Sequence, residues 1–69
     1  MSVITIWPSE GSDTNHEFRR GMEALENEGI PAKGVALPLT RVAYFSISEN
    51  YVGSALGVLR RKHILSART

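Results

Sequence analysis

The sequence contains no cysteine, and this absence removes two of the ways in which a small chain can be stabilised. Without thiols, neither disulfide bridges nor thiolate metal ligands can hold the core together. The chain has 69 residues, which is near the lower limit for a core that folds without such help. Association with a second copy is therefore an open route to a larger buried surface.

Long hydrophobic runs and a strong net charge are also missing. No apolar stretch approaches the ~18 residues of a membrane-spanning helix, and the first residues lack the basic segment and apolar core of a signal peptide. We therefore expect no membrane contact and a cytoplasmic location. The net charge is only +1, so the long-range field available to attract a polyanion is weak.

The charges that are present are unevenly distributed along the chain. Residues 1–35 contain six acids and three bases, whereas residues 36–69 contain one acid and five bases. The two halves therefore carry charges of −3 and +4, an asymmetry that could orient a partner or a head-to-tail contact. The apolar fraction of 42% is typical of a folded chain, and we expect residues 1–69 to form a single domain.

The clearest local pattern lies in residues 41–62, where an apolar run passes through a polar turn into an amphipathic stretch. Residues 42–47 are rich in β-branched and aromatic side chains and predict a strand. Residues 48–50 favour a turn and a helix start. A helix follows, because apolar residues then recur at helical spacing. These residues are Val52, Ala55, Leu56 and Leu59.

The first part of the chain has the same order of elements. Residues 3–7 predict a first strand, which Pro8 ends. Residues 9–13 form a polar, glycine-containing connection that we expect to be exposed. Thr14 and Glu17 fit the capping-box pattern, in which the Thr14 side chain accepts a hydrogen bond from the Glu17 backbone N–H and the Glu17 side chain reaches back to cap the helix. A helix over residues 15–28 is therefore predicted.

The interior and the end of this first helix are also marked in the sequence. Phe18, Met22 and Leu25 recur at helical spacing and predict its inner face, with Gly21 and Ala24 beside them. Gly29 is a strong stop signal, because glycine readily adopts the left-handed conformation that follows a helix cap. Ile30 should then contact Leu25, as it does in a Schellman ending.

Two further strands are predicted from shorter patterns. Residues 31–39 alternate apolar and small side chains, but Pro38 lacks the N–H that a central strand needs. We therefore expect this strand at a sheet edge, or interrupted at Pro38. A hairpin turn at residues 39–40 leads into the strand at 42–47. Residues 63–67 predict a short last strand.

The resulting order, β-α-β-β-α-β, is the split βαβ or ferredoxin-like arrangement of the α+β class. Two right-handed crossovers would place both helices on one face of a four-stranded antiparallel sheet with strand order 4-1-3-2. The second strand is then an edge, in agreement with Pro38. The opposite sheet face must be covered, polar or contacted by a partner. If Trp7 and Tyr44 are exposed there, their large side chains would favour association with another molecule.

Several short segments of the chain match the signature of one regulatory family. They are Ala24-Leu25, Gly29-Ile30, the strand end and acidic turn at 47–49, and Ala55-Leu56 with Leu59. In this order and spacing, nearly the whole chain resembles an ACT domain of the aspartate-kinase type. The resemblance implies a regulatory domain that pairs through its sheets or helices and binds a small ligand, commonly an amino acid, at the interface.

The resemblance also implies where a ligand would bind and what would accompany it. In ACT domains the ligand meets the loop between strand 1 and helix 1 and the segment after the Gly-Ile pair. The implied ligand-binding residues are Glu10, Gly11, Ser12, Asp13, Asn15 and Ile30. We expect a homodimer that uses no cofactor and that binds an amino acid or a protein partner.

Catalytic functions find little support in the sequence. His16 lies between Asp13 and Glu17 at a helix start, where acids cap the helix and complement its dipole. His63 is distant, with no metal-ligand spacing to His16. The sequence contains neither a phosphate-binding glycine loop nor a Gly-x-Ser-x-Gly nucleophile elbow. We therefore expect neither enzyme activity nor a metal site.

Nucleic-acid binding is the main alternative function. Ferredoxin-like sheets bind RNA when aromatic residues on the open face stack on bases and nearby cations hold phosphates. Trp7 and Tyr44 could supply the rings. The available cations are Arg41, Arg60, Arg61, Lys62 and Arg68. A further alternative is a purely structural homodimer that binds no ligand.

Overall fold

The computed structural model describes residues 2–68 and contains one four-stranded antiparallel sheet and two helices. The elements are β1 (Ser2–Trp7), α1 (Thr14–Asn27), β2 (Lys33–Leu37), β3 (Val42–Ile47), α2 (Glu49–Arg61) and β4 (Leu65–Arg68). The strands lie in the order β2-β3-β1-β4, which is the expected 4-1-3-2 order counted from the other edge. The ferredoxin-like α+β fold is therefore confirmed. Neither helix of residues 2–68 is long and apolar enough to cross a membrane.

Alternation along the two central strands decides which side of the sheet is the core. β1 and β3 pair antiparallel, with Ile4 opposite Phe45 and Ile6 opposite Ala43. These four side chains are buried beneath the helices, and the residues between them point to the other face. Apolar residues of both helices and of the segments that follow them complete the core: Ala24, Leu25, Ile30, Val52, Ala55, Val58, Leu59 and Ile64, with Ile47 from β3.

β2 is an edge strand that ends immediately before Pro38, as the missing N–H of proline requires. In the turn that follows, the N–H groups of Thr40 and Arg41 donate to the carbonyls of Leu37 and Pro38, each at 3.2 Å. The observed strand is shorter than the predicted segment 31–39, because prolines flank it on both sides.

The start of α1 differs from the predicted capping box. Asp13, rather than Thr14, is the N-cap: its backbone is extended, and its side chain accepts a hydrogen bond from the His16 N–H at 3.3 Å. The Glu17 N–H donates to the Asp13 carbonyl at 3.0 Å, and Thr14 is the buried first residue of the helix. A carboxylate is at least as good a cap as a hydroxyl and also complements the positive helix end.

The inner face of α1 is rotated from the predicted stripe. Gly21, Ala24 and Leu25 are buried, as predicted for this face. Phe18 and Met22 are half-buried and pack against the margin of the core. The large ring of Phe45 explains this rotation. A side chain added at Gly21 would lie 3.1 Å from that ring, and Phe18 stacks on the ring with centroids 5.2 Å apart.

The end of α1 is the Schellman turn that the sequence predicts. Gly29 has a left-handed φ of 72°. The Ile30 N–H donates to the Leu25 carbonyl at 2.9 Å, and the side chains of both residues are buried in the core. The glycine therefore reverses the chain, so that an isoleucine enters the core directly after the helix.

The end of α2 is built in the same way, but without glycine. His63 has a left-handed φ of 59°, and the Ile64 N–H donates to the Leu59 carbonyl at 3.0 Å. Ile64 is buried, and β4 begins after it at Leu65 rather than at His63. The two halves of the chain therefore share one helix-ending turn.

Candidate functional site

The loop between β1 and α1 contains four of the predicted ligand-binding residues, Glu10, Gly11, Ser12 and Asp13, and Asn15 follows in the first turn of α1. All of them are exposed except Ser12, which is half-buried. The Ser12 N–H donates to the Ser9 carbonyl at 2.9 Å, and Gly11 has a left-handed φ of 83°, so the loop makes a tight turn. The Asp13 carboxylate is engaged as the helix cap.

Ile30, the remaining predicted residue, lies at the other end of α1. It is only 5% exposed and belongs to the core. Because α1 has 14 residues, its two ends are ~20 Å apart at 1.5 Å of rise per residue. Within one chain, the structure does not bring Ile30 together with the loop. A ligand in contact with both would have to bind between two copies.

A cation from a distant part of the chain approaches this loop. The Arg41 guanidinium lies 3.5 Å from the Ser12 carbonyl oxygen, and the side chain is exposed. The sequence suggested Arg41 only as a phosphate contact. Its position beside Ser12 depends on the pairing of β1 with β3, which brings the β2–β3 turn to the same end of the sheet as the loop.

The sheet face opposite the helices, which we call the open face, is formed by the residues that alternate with the core positions. Its members are Lys33, Val35 and Leu37 in β2, Val42, Tyr44 and Ser46 in β3, Val3, Thr5 and Trp7 in β1, and Leu65 and Ala67 in β4. Among residues 2–68, five of the seven large hydrophobic side chains that stay more than a third exposed belong to this face. Its one charged residue in the described chain is Lys33, at a corner.

A continuous apolar row crosses the open face from edge to edge. Leu37 is paired with Val42, and Trp7 is paired with Leu65. Val42 and Trp7 are neighbours, because the residues next to them on β3 and β1 are paired with each other. Leu37, Trp7 and Leu65 are 40%, 38% and 58% exposed. The row therefore presents a tryptophan and two leucines to solvent.

The row beside it contains the centre of the open face. Val35, Tyr44, Thr5 and Ala67 lie side by side across the four strands. Thr5 is only 4% exposed, and its hydroxyl oxygen has no hydrogen-bond partner within residues 2–68. A buried polar atom without a hydrogen-bond partner in the described chain therefore lies near the middle of this face.

Trp7 and Tyr44 were the two open-face residues that the sequence singled out. The contributions of the outer strands, Val35, Leu37 and Leu65, were not foreseen, because they depend on strand register. The sequence signal that could identify these residues is the alternation inside each short strand, since every second residue lies on the same face. That signal becomes informative only when the register between strands is known.

The basic residues 60–62 end α2, on the opposite side of the sheet from the open face. The Arg61 guanidinium lies 3.5 Å from the Glu28 carboxylate, and both side chains are well exposed. The aromatic rings of Trp7 and Tyr44 point away from this layer. The rings and the clustered cations that RNA binding would combine therefore lie on different sides of the sheet.

A buried carboxylate connects the two helices. Glu17 is 1% exposed, and its Oε1 atom lies 2.7 Å from the Arg20 guanidinium. Arg20 also donates to the Lys62 carbonyl at 2.7 Å, at the end of α2. The second carboxylate oxygen of Glu17 has no hydrogen-bond partner within residues 2–68. Glu17 thus holds Arg20 in place rather than capping α1.

Two further features of the described residues bear on ligand binding. An open groove of about 540 Å³ lies between α2 and the segment that directly follows α1, and its lining includes Ile30, Tyr51, Val58 and Arg61. No group of three His, Cys, Asp or Glu side chains within residues 2–68 could hold a metal ion.

The fold and this surface together define a ferredoxin-like α+β domain with an uncovered apolar sheet face. Comparison of the chain with protein-family models, with curated proteins and with solved structures finds no match. Resemblance to the ACT domain therefore stays a prediction from the sequence.

Proposed function

We propose that this chain is a non-catalytic interaction module that forms a homodimer in the cytoplasm. The observation that carries the proposal is the apolar row of the open face, which leaves Trp7, Leu37 and Leu65 in contact with water. Removing apolar surface from water is favourable by about 25 cal/mol per Å². Contiguous apolar patches on small proteins commonly mark interaction sites.

The size of the chain supports self-association in particular. A domain of 69 residues buries a smaller fraction of its surface than a larger one does, and this chain has no disulfide to compensate. A second copy supplies the missing buried area without any change in the fold. Dimer formation would then contribute directly to the free energy of unfolding.

The proposal includes regulation by a small ligand, such as an amino acid. It is supported by the ACT resemblance and by the polar segment after β1, with Glu10, Gly11, Ser12 and Asp13 in the loop and Asn15 in the first turn of α1. The loop adjoins Trp7 through Pro8, so a ligand that orders the loop would act next to the open face. A ligand that binds the dimer more tightly than the monomer would shift the equilibrium toward the dimer.

The RNA-binding alternative has less support. A single strand laid on the open face would meet the rings of Trp7 and Tyr44 but only one cation of the described chain, Lys33. Phosphate contacts normally need several convergent cations. Binding of a generic single-stranded RNA that weakens steeply with added salt would favour this alternative over our proposal.

Sedimentation equilibrium from low micromolar to millimolar protein tests the proposed self-association. We expect a reversible monomer–dimer equilibrium with dimer dominant at the highest concentrations. A chain that stays monomeric at millimolar concentration would contradict the proposal.

A thermal-shift screen of the twenty amino acids tests the regulatory part. A ligand at 100 times its dissociation constant adds about 2.7 kcal/mol of stability. That gain would raise the Tm of a domain of this size by roughly 10 °C or more. If no amino acid raises the Tm, regulation by an amino acid is rejected, whereas the proposed homodimer is unaffected.

A further inference from the structure

We infer that the open face is covered by the open face of a second copy, stacked on it across a two-fold axis. This inference rests on the proposed function and adds the surface and the arrangement through which the copies meet. Three other contacts are conceivable for a homodimer: pairing of sheet edges, packing of helix layers, or docking of a helix on the sheet.

The sheet edges are poorly suited to pairing with another chain. β2 is preceded by Pro31 and followed by Pro38, neither of which has an N–H to donate, and it begins with Lys33. Prolines and lysines at an edge strand oppose edge-to-edge pairing. On the other edge, β4 carries the charged Arg68, and charged side chains on an edge strand also oppose such pairing. Continuation of the sheet into a second copy is therefore disfavoured.

The outer surface of the helix layer is well hydrated. Glu28 and Arg61 are 51% and 69% exposed where they face each other. Other exposed charges of both signs lie in the two helices or directly after them, including Glu23, Glu26, Arg60 and Lys62. Burying such groups costs desolvation energy, and ion pairs offset that cost only when their geometry is favourable. By contrast, the open face would bury mainly apolar side chains.

A second sheet fits the dimensions of the open face better than a helix does. Four strands ~4.8 Å apart, with up to six residues at ~3.4 Å each, give a face of about 20 by 20 Å. A helix with its side chains is about 10–12 Å wide, so it would leave about half of that width uncovered. An identical sheet covers all four strands at once.

The charge distribution of the open face also suits a two-fold contact. Such a contact brings the same residues of both copies together, so a charged centre would repel itself. The centre of this face consists of Thr5 and Tyr44, and Lys33 lies at a corner where it can stay in water. Two faces of this size bury about 800 Å² of flat area, which is below the usual range for tight complexes and predicts a readily reversible dimer.

Lysine substitutions on the outer strands test this arrangement. Val35→Lys and Leu65→Lys add a cation at positions that are 51% and 58% exposed, so the fold should be retained. We expect each to raise the dimer dissociation constant tenfold or more, because cations from both copies enter one contact. Leu39→Lys is the matched control: Leu39 is fully exposed in the turn after β2, outside the open face. Its dissociation constant should not change.

Isotope-filtered NMR on a mixture of labelled and unlabelled copies locates the contact directly. We expect intermolecular contacts between the Trp7 indole ring and open-face residues such as Leu37 or Val42. A dimer whose intermolecular contacts come from helix or edge residues would overturn this inference while leaving the proposed homodimer intact. Equal weakening by Leu39→Lys and Leu65→Lys would also overturn it. A monomer at millimolar concentration would overturn both proposals.

Discussion

Gly34 lies on the core side of β2, where the neighbouring strand and the ring of Phe18 leave no room for a side chain. A Cβ atom there would lie 2.5 Å from the Tyr44 carbonyl oxygen and 2.8 Å from ring atoms of Phe18 and Phe45. The carbonyl belongs to the backbone of the neighbouring strand and cannot move without disturbing the sheet. The stacked rings occupy the space that a side chain of β2 would fill.

Replacing Gly34 should therefore destabilise the fold sharply. We expect Gly34→Ala to lower the free energy of unfolding by about 1–3 kcal/mol, as overpacking does. Urea unfolding monitored by circular dichroism measures this loss. Gly57→Ala is the control: no atom lies within 4 Å of its added Cβ, so better helix propensity should stabilise α2 by about 0.5–1 kcal/mol. Similar effects of the two substitutions would contradict the packing described for Gly34.

Two arginines that contact glutamates should differ strongly in their contribution to stability. Arg20→Met leaves the buried Glu17 carboxylate without its ion-pair partner, and we expect unfolding free energy to fall by about 1–3 kcal/mol. Arg61→Met breaks an exposed 3.5 Å pair and should change it by less than about 0.5 kcal/mol. Chemical unfolding of both variants tests this contrast. An equal loss of unfolding free energy in the two variants would contradict a larger contribution from the buried pair.

The helix endings lead to a prediction at the scale of the elements. α1 ends on Gly29 and α2 ends on His63, and both residues are left-handed. The left-handed conformation costs a residue with a Cβ roughly 1–2 kcal/mol in steric energy. Glycine avoids this cost but loses more conformational entropy on folding. We expect His63→Gly to stabilise the chain by about 0.5–1 kcal/mol and Gly29→Ala to destabilise it by about 1 kcal/mol. Thermal unfolding should therefore show Tm shifts of opposite sign.

The elements also show how far the sequence predicts the fold. All six elements and the edge position of β2 follow from local patterns, with Pro38 as the informative residue. The rotation of α1 does not follow from local patterns, because it depends on the ring of Phe45, which lies in β3. The N-cap lies one residue before the predicted Thr14, because Asp13 and Thr14 are adjacent and both are competent caps.

The candidate site was predictable only in part, for a similar reason. Trp7 and Tyr44 stand out by size, but Val35, Leu37 and Leu65 are unremarkable until pairing places them beside the aromatic residues. The loop residues came from a family resemblance, and their separation from Ile30 depends on the length and direction of α1. Local patterns therefore identify candidate residues, whereas the surfaces that combine them are properties of the assembled sheet.

The response to salt distinguishes two kinds of dimer that this chain could form. A head-to-tail dimer held by the acidic and basic halves of the chain would weaken as salt screens the charges. A dimer held by the open face should keep its dissociation constant within about twofold as sodium chloride rises, and sulfate should tighten it. Sedimentation equilibrium across a salt series measures this dependence. A marked weakening by sodium chloride would contradict the apolar contact.

The position of Trp7 has an optical consequence. It is the one tryptophan of the chain, it is 38% exposed, and it belongs to the row that crosses the open face. Its fluorescence therefore reports on the polarity of that surface, without any attached dye. On dilution, we expect the emission maximum to shift to longer wavelength as the ring returns to water, with a midpoint at the dissociation constant found by sedimentation. The chain would thus signal its own state of assembly.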